Sequence, residues 1–139
     1  MTETLHASAV AWHGRGVLIR GASGAGKSTL ALGLIERGAL LVGDDQVMLR
    51  SASDELTMTA PARLAGLLEI RGVGITRWPY LVSARLAVVV DLVPAAQIER
   101  LADFRTTQLL DRHVPVVALA GGPLAPSQIV AILRARASL

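Results

Sequence analysis

The sequence predicts an α/β domain of the phosphate-loop (P-loop) kind with a mixed central β-sheet. Three observations carry this. The stretch Gly21-Ala22-Ser23-Gly24-Ala25-Gly26-Lys27-Ser28 fits the pattern G-x-x-x-x-G-K-[ST] at every fixed position. Before it, Val17-Leu18-Ile19 reads as a short buried strand; after it, Ser28–Arg37 reads as a helix stopped by Gly38 at the C′ position. Further short apolar runs at Leu40–Gly43, Leu56–Thr59, Ala84–Leu92 and Val114–Leu119 read as strands, which makes the sheet the larger part of the core. The 139 residues are expected to form a single domain spanning 1–139.

The glycine-rich stretch is a nucleotide-binding loop by its chemistry. Its glycines let backbone N–H groups approach phosphate oxygens without Cβ interference, and the strand–loop–helix order aims a helix N-terminus at an anion. Gly21, Ala22, Ser23, Gly24, Ala25, Gly26, Lys27, Ser28 and Thr29 are therefore the candidate phosphate contacts. Lys27 can reach the β and γ phosphates, and the Ser28 hydroxyl can sit on a magnesium ion. Lys27 is the sole lysine among 14 Lys and Arg residues.

Composition narrows the function class. Apolar residues make up 52% of the chain, too many for a disordered protein. The net charge of +3 comes from scattered arginines with no basic run and few aromatics, which points away from nucleic acid. No membrane span is expected, because Arg85 and Asp91 interrupt the apolar run around Leu86–Val93. Met1-Thr2-Glu3-Thr4 lacks the basic start of a signal peptide, and cysteine is absent, so a cytoplasmic protein is expected.

Taken in order, Leu5–Trp12 reads as one strand, turning at His13-Gly14-Arg15-Gly16 into Val17–Arg20 as a hairpin. His6 lies on the first strand and by spacing alone is a surface residue. Leu40–Gly43 ends in Asp44-Asp45, adjacent carboxylates at a strand end beside the loop, where acidic groups serve a bound nucleotide. The pair fits equally well a polar turn closing a hairpin with Gln46–Arg50. Ser51–Glu55 is a turn and Pro61–Leu67 a connection. In Leu68-Glu69-Ile70-Arg71-Gly72-Val73-Gly74-Ile75 the apolar and charged residues alternate before two glycines, as in an edge strand running into a flexible loop. Val88-Val89-Val90 reads as the centre of the sheet. Pro94–Asp103 reads as a helical or irregular excursion, and Ser127–Ala137 as a terminal helix after the break at Gly121-Gly122-Pro123.

The P-loop, Leu41-Val42-Gly43-Asp44-Asp45 and Leu68–Ile75, in that order, resemble the catalytic domain of the HPr kinase/phosphorylase family. The last segment resembles the family signature L-E-I-R-G-L-G-I with Val73 as one conservative change. The resemblance runs from about His6 to Arg100. It implies a phosphoenolpyruvate carboxykinase-like P-loop fold and an ATP- and Mg2+-dependent kinase acting on a serine of the phosphocarrier HPr. It also implies roles: Lys27 on the transferred phosphoryl group, Ser28 and Glu69 on magnesium, Asp45 as general base with Asp44 beside it, His6 near Asp45, and Arg100 as a family arginine. The family's N-terminal domain has no counterpart, as in its short forms. A late loop linked to dephosphorylation is replaced by Val114-Pro115-Val116-Val117, so kinase activity is expected over phosphorylase activity. Whether the chain forms a homo-oligomer is left open. Two rivals stand beside this expectation: a small-molecule P-loop kinase, and a non-catalytic nucleotide-sensing module in which Asp45 would be dispensable.

Overall fold

The computed structural model describes residues 1–100 and 105–135. Their order is β1 (Thr2–Leu5), β2 (Ser8–Trp12), β3 (Arg15–Gly21), α1 (Lys27–Ile35), β4 (Leu40–Gly43), β5 (Val47–Ala52), β6 (Glu55–Thr59), β7 (Leu67–Ile70), β8 (Gly74–Arg77), β9 (Ser83–Leu92), β10 (Arg105–Leu109), β11 (Arg112–Leu119) and α2 (Ala125–Ala135). Nine strands form one mixed sheet, and β7 and β8 form a separate hairpin.

The long strand β9 is the axis. Its first residues pair antiparallel with β6, while its later residues lie parallel to β3 on one side and β11 on the other. The register with β3 shifts once, Gly16 facing Leu86 but Val17 facing Val88. The extra residue flips the side-chain alternation. Ala84 and Leu86 join one core with Val89, whereas Val88, Val90 and Leu92 face the other. A bulge at this point also bends the strand, so the sheet curls into two wings.

One face is covered by both helices. Leu30 and Leu34 of α1 and Ile129 and Leu133 of α2 pack with Val17, Ile19, Val88 and Val90, each large side chain contributing about 1.5–3 kcal/mol by leaving water. The helices approach closely because Gly33 faces Pro126; a Cβ at Gly33 would lie 2.5 Å from the proline Cγ. The opposite face is enclosed by the curl itself, with Leu49, Leu56 and Met58 meeting Leu109 and Val114. Ser51 donates to Asp111 at 2.6 Å and Arg112 lies 3.5 Å from Asp54, joining the two wings at their rims.

Several expectations hold and several are corrected. The hairpin at His13-Gly14 forms, with both residues at positive φ as its twist demands. Helix α1 ends where Gly38 predicts: Gly38 N–H donates to Ile35 O and Ala39 N–H to Leu34 O, both at 3.0 Å, a Schellman closure around a glycine at φ 98°. The single strand expected over Leu5–Trp12 is two strands, because the chain changes partner: Leu5 pairs with Val47 but Ser8 with Ile19. The corner falls at His6-Ala7. Asp44-Asp45 does not close a hairpin, since β4 pairs with β2 and β5 with β1 and β6. Leu68–Ile75 is not a strand with a loop but most of the β7–β8 hairpin, turned by Gly72 (φ 82°) and Gly74 (φ 107°). The excursion after Pro94 begins as a short 3-10 turn, Ala95–Gln97; its end, over 101–104, lies outside the described residues, as do residues 136 and 137 of the terminal helix. Strand β10 was not anticipated.

Candidate active site

The phosphate loop takes the shape its glycines permit. Gly24 (φ 83°) and Gly26 (φ 101°) are left-handed, and Ala25 N–H closes a turn on Ala22 O at 3.0 Å. Gly26 is the N-cap of α1 and no side chain caps the helix, so the amides of its first turn remain for a ligand at the loop mouth. The Lys27 ammonium donates to the carbonyls of Gly21 (2.8 Å) and Ala22 (3.1 Å), held by the loop it serves.

Asp44 and Asp45 are neighbours whose side chains part. Asp45 is left-handed at φ 71°, a conformation aspartate tolerates better than most residues. Asp44 points inward and is only 6% exposed. It accepts from Ser8 Oγ at 2.6 Å, from Ser28 Oγ at 2.9 and 3.1 Å, and from the Glu69 amide at 3.3 Å. The buried carboxylate thereby ties together β2, the P-loop helix and the β7–β8 hairpin. Asp45 points outward. Its Oδ1 lies 3.1 Å from His6 Nε2, both side chains exposed, and the corner between β1 and β2 is what brings His6 there.

The hairpin supplies the far wall. Thr76 Oγ1 donates to Leu68 O and Trp78 Nε1 to Thr76 Oγ1, each at 2.7 Å, which braces the turn that holds Arg71 and Val73 outward. The result is a cleft of about 730 Å³ lined by His6, Ser8, Lys27, Ser28, Asp44, Asp45 and Glu69 together with Ser23, Gly24, Gly26, Thr29 and residues 70–74. Most of the sequence-predicted site thus converges. Gly21 and Ala22 enter through their carbonyls to Lys27, and Ala25 through its turn. Arg100 is exposed and is not among the lining residues.

Ser8 was missed. Its one sequence signal is a hydroxyl in the otherwise apolar run Ala7-Ser8-Ala9-Val10, and it is 1% exposed. A buried hydroxyl needs a partner, and Asp44 is that partner.

The oxygens gathered here, among them the Ser28 hydroxyl and the carboxylates of Asp44 and Glu69, are hard donors of the kind magnesium takes. Among the described residues no group of three or more His, Asp and Glu could hold a metal alone. No helix of the described residues is long and apolar enough to cross a membrane.

Comparison with known proteins shows the family of the chain. The family model of the HPr serine kinase C-terminal domain matches residues 1–133. The HPr kinase/phosphorylase of Geobacillus kaustophilus is 38% identical over 144 residues, covering 95% of this chain and 45% of the relative. That of Exiguobacterium sibiricum is 35% identical over 144 residues with the same coverage, so the chain spans about half the length of these relatives. The solved structure of the Hpr(Ser) kinase/phosphatase from Coxiella burnetii superposes with a TM-score of 0.86 at 29% identity, over 95% of this chain and 88% of that one. The curled mixed sheet with its two helices is therefore an α/β fold shared with a structurally known HPr kinase. By family model, sequence and fold, the chain belongs to the HPr serine kinase C-terminal domain family.

Proposed function

We propose that the chain is a protein-serine kinase that uses ATP and magnesium to phosphorylate a regulatory serine of HPr, acting in the cytoplasm as one phosphoenolpyruvate carboxykinase-like P-loop domain over residues 1–139. One observation carries this: the P-loop, the Asp44–Asp45 turn and Glu69 line a single cleft in which Asp44 turns inward to Ser28 and Asp45 outward to His6.

The loop amides and Lys27 would hold the nucleotide phosphates, Lys27 turning from the carbonyls of Gly21 and Ala22 to the transferred group. Ser28, Asp44 and Glu69 would hold magnesium, whose chemistry is to neutralise charge on the phosphates. Asp45, exposed on the cleft, would accept the proton of the serine hydroxyl as its oxygen bonds to the γ phosphorus and the bond to the β-phosphate oxygen breaks. His6 would keep the Asp45 carboxylate turned to the cleft. Positioning and charge neutralisation supply most of the acceleration in such a transfer. The exposed Val73 and Ile75 on the hairpin, beside Arg71, form the wall an incoming protein would meet.

The test is transfer of labelled phosphate from ATP to purified HPr. Transfer that stops on removing magnesium or on changing the regulatory serine of HPr to alanine supports the proposal. Turnover of a small metabolite with HPr inert would replace it by the small-molecule kinase, and nucleotide binding without any transfer would leave a sensor module.

A further inference from the structure

A second charged cleft, of about 570 Å³, lies at the other end of the parallel strands and shares no lining residue with the catalytic cleft. It opens beside Arg15 at the start of β3, whereas the P-loop begins at Gly21 at its end. Six residues of strand put roughly 20 Å between them. Three hairpin turns meet there, contributing Gly14, Asp54 and Asp111.

Three guanidinium side chains from three different strands line this cleft: Arg15 of β3, Arg85 of β9 and Arg112 of β11. His113 stands beside them. By formal charge Asp54, Glu55 and Asp111 balance the arginines, but their geometry does not. Asp111 is turned to Ser51 Oγ at 2.6 Å. Asp54 is fully exposed and only 3.5 Å from Arg112, and Glu55 meets Arg85 at 3.4 Å with both side chains exposed. Exposed, long pairs of this kind contribute little and yield readily to a better acceptor. Arg112 Nε, moreover, is buried and has no acceptor among the described residues. A buried N–H without a partner calls for an oxygen, and the guanidinium fork suits one that carries two.

We propose that this cleft binds a small organic anion through its carboxylate or phosphate oxygens, held by Arg85 and Arg112. The volume exceeds that of a single oxyanion group, so the ligand has a body beyond its charge. Bound there, it bridges the two wings, since Arg112 belongs to one and Asp54 and Glu55 to the other.

The test is an NMR titration with citrate and, separately, inorganic phosphate, against sodium chloride at matched ionic strength. The Gly14 and His113 amides report this cleft, and those of Gly24 and Gly26 report the P-loop. Wild type should show saturable shifts at Gly14 and His113. Arg85→Gln and Arg112→Gln should each weaken that binding about 10-fold or more and leave tripolyphosphate binding at Gly24 and Gly26 unchanged. Arg85 is exposed, so its variant reads the site even if Arg112→Gln fails to fold. Tighter citrate would assign a carboxylate ligand, and tighter phosphate a phosphorylated one. Shifts confined to Gly24 and Gly26, an equal response to chloride, or wild-type affinity in Arg85→Gln would overturn the proposal.

Discussion

Replacing Ser8 by alanine removes one hydroxyl from a site where the acceptor is buried and charged. The Ser8–Asp44 contact is 2.6 Å, between groups 1% and 6% exposed. A hydrogen bond to an ionised partner contributes about 1.5–3 kcal/mol. Two donors, Ser28 Oγ and the Glu69 amide, would still face the carboxylate. Asp44 is therefore weakened but not orphaned, which places the loss at the lower end, about 1.5–2 kcal/mol. For a domain of this size that corresponds to a fall in Tm of about 4–8 °C. The assay is urea denaturation followed by circular dichroism on Ser8→Ala, Asp44→Ala and the double variant. With Asp44 already gone, Ser8→Ala should cost little, giving a coupling near the full single-variant effect. A Ser8→Ala loss below about 0.5 kcal/mol, or one equally large in both backgrounds, would refute the clamp. Magnesium-dependent ATP affinity should fall in the same variant, because Ser8 helps aim the carboxylate at Ser28.

Other outcomes follow from single positions. Gly33→Ala gains about 1 kcal/mol of helix propensity but drives a methyl into the rigid Pro126 ring, an overpacking cost of about 1–3 kcal/mol. The variant should melt below wild type, and a higher Tm would mean that the helices do not meet there. At Gly38 nothing lies within 4 Å of an added Cβ, yet φ is 98°, so Gly38→Ala should cost about 1 kcal/mol from backbone strain alone and Gly38→Asn less. Thermal melts separate the two. The Ser51 hydroxyl holds the Asp111 carboxyl below its ordinary value. A depressed folded-state value means the contribution is present above the unfolded value and is lost as pH falls through the folded one. Ser51→Ala should therefore raise the Asp111 titration midpoint by NMR. It should also lower stability near neutral pH, with the difference vanishing in acid below the folded midpoint.

What was legible in the sequence was whatever glycine and strict spacing dictate. The P-loop could be read because its turn needs left-handed residues at fixed places, and Gly24 and Gly26 provide them. The end of α1 could be read because only a residue such as Gly38 closes a helix in that way. The corner at His6-Ala7 could not, because the residues after it are buried on both faces and a change of strand partner leaves no mark on alternation. Strand β10, Arg105-Thr106-Thr107-Gln108-Leu109, buries one residue and pairs only with β11, so it has no apolar pattern to show. The adjacent aspartates were visible as chemistry but not as geometry. Which one turns inward depends on a single φ angle at Asp45 and on the hydroxyl of Ser8, thirty-six positions away in sequence.

The measurement that bears most directly on the kinase proposal is phosphate transfer from labelled ATP to HPr by wild type and Asp45→Asn, with ATP binding measured on both. The prediction is equal binding and loss of transfer in the variant, because the role proposed for Asp45 is to take the acceptor proton and not to hold the phosphates. Transfer at the wild-type rate by Asp45→Asn would contradict the assignment of the base. Absence of transfer by the wild type, with ATP bound, would contradict the kinase.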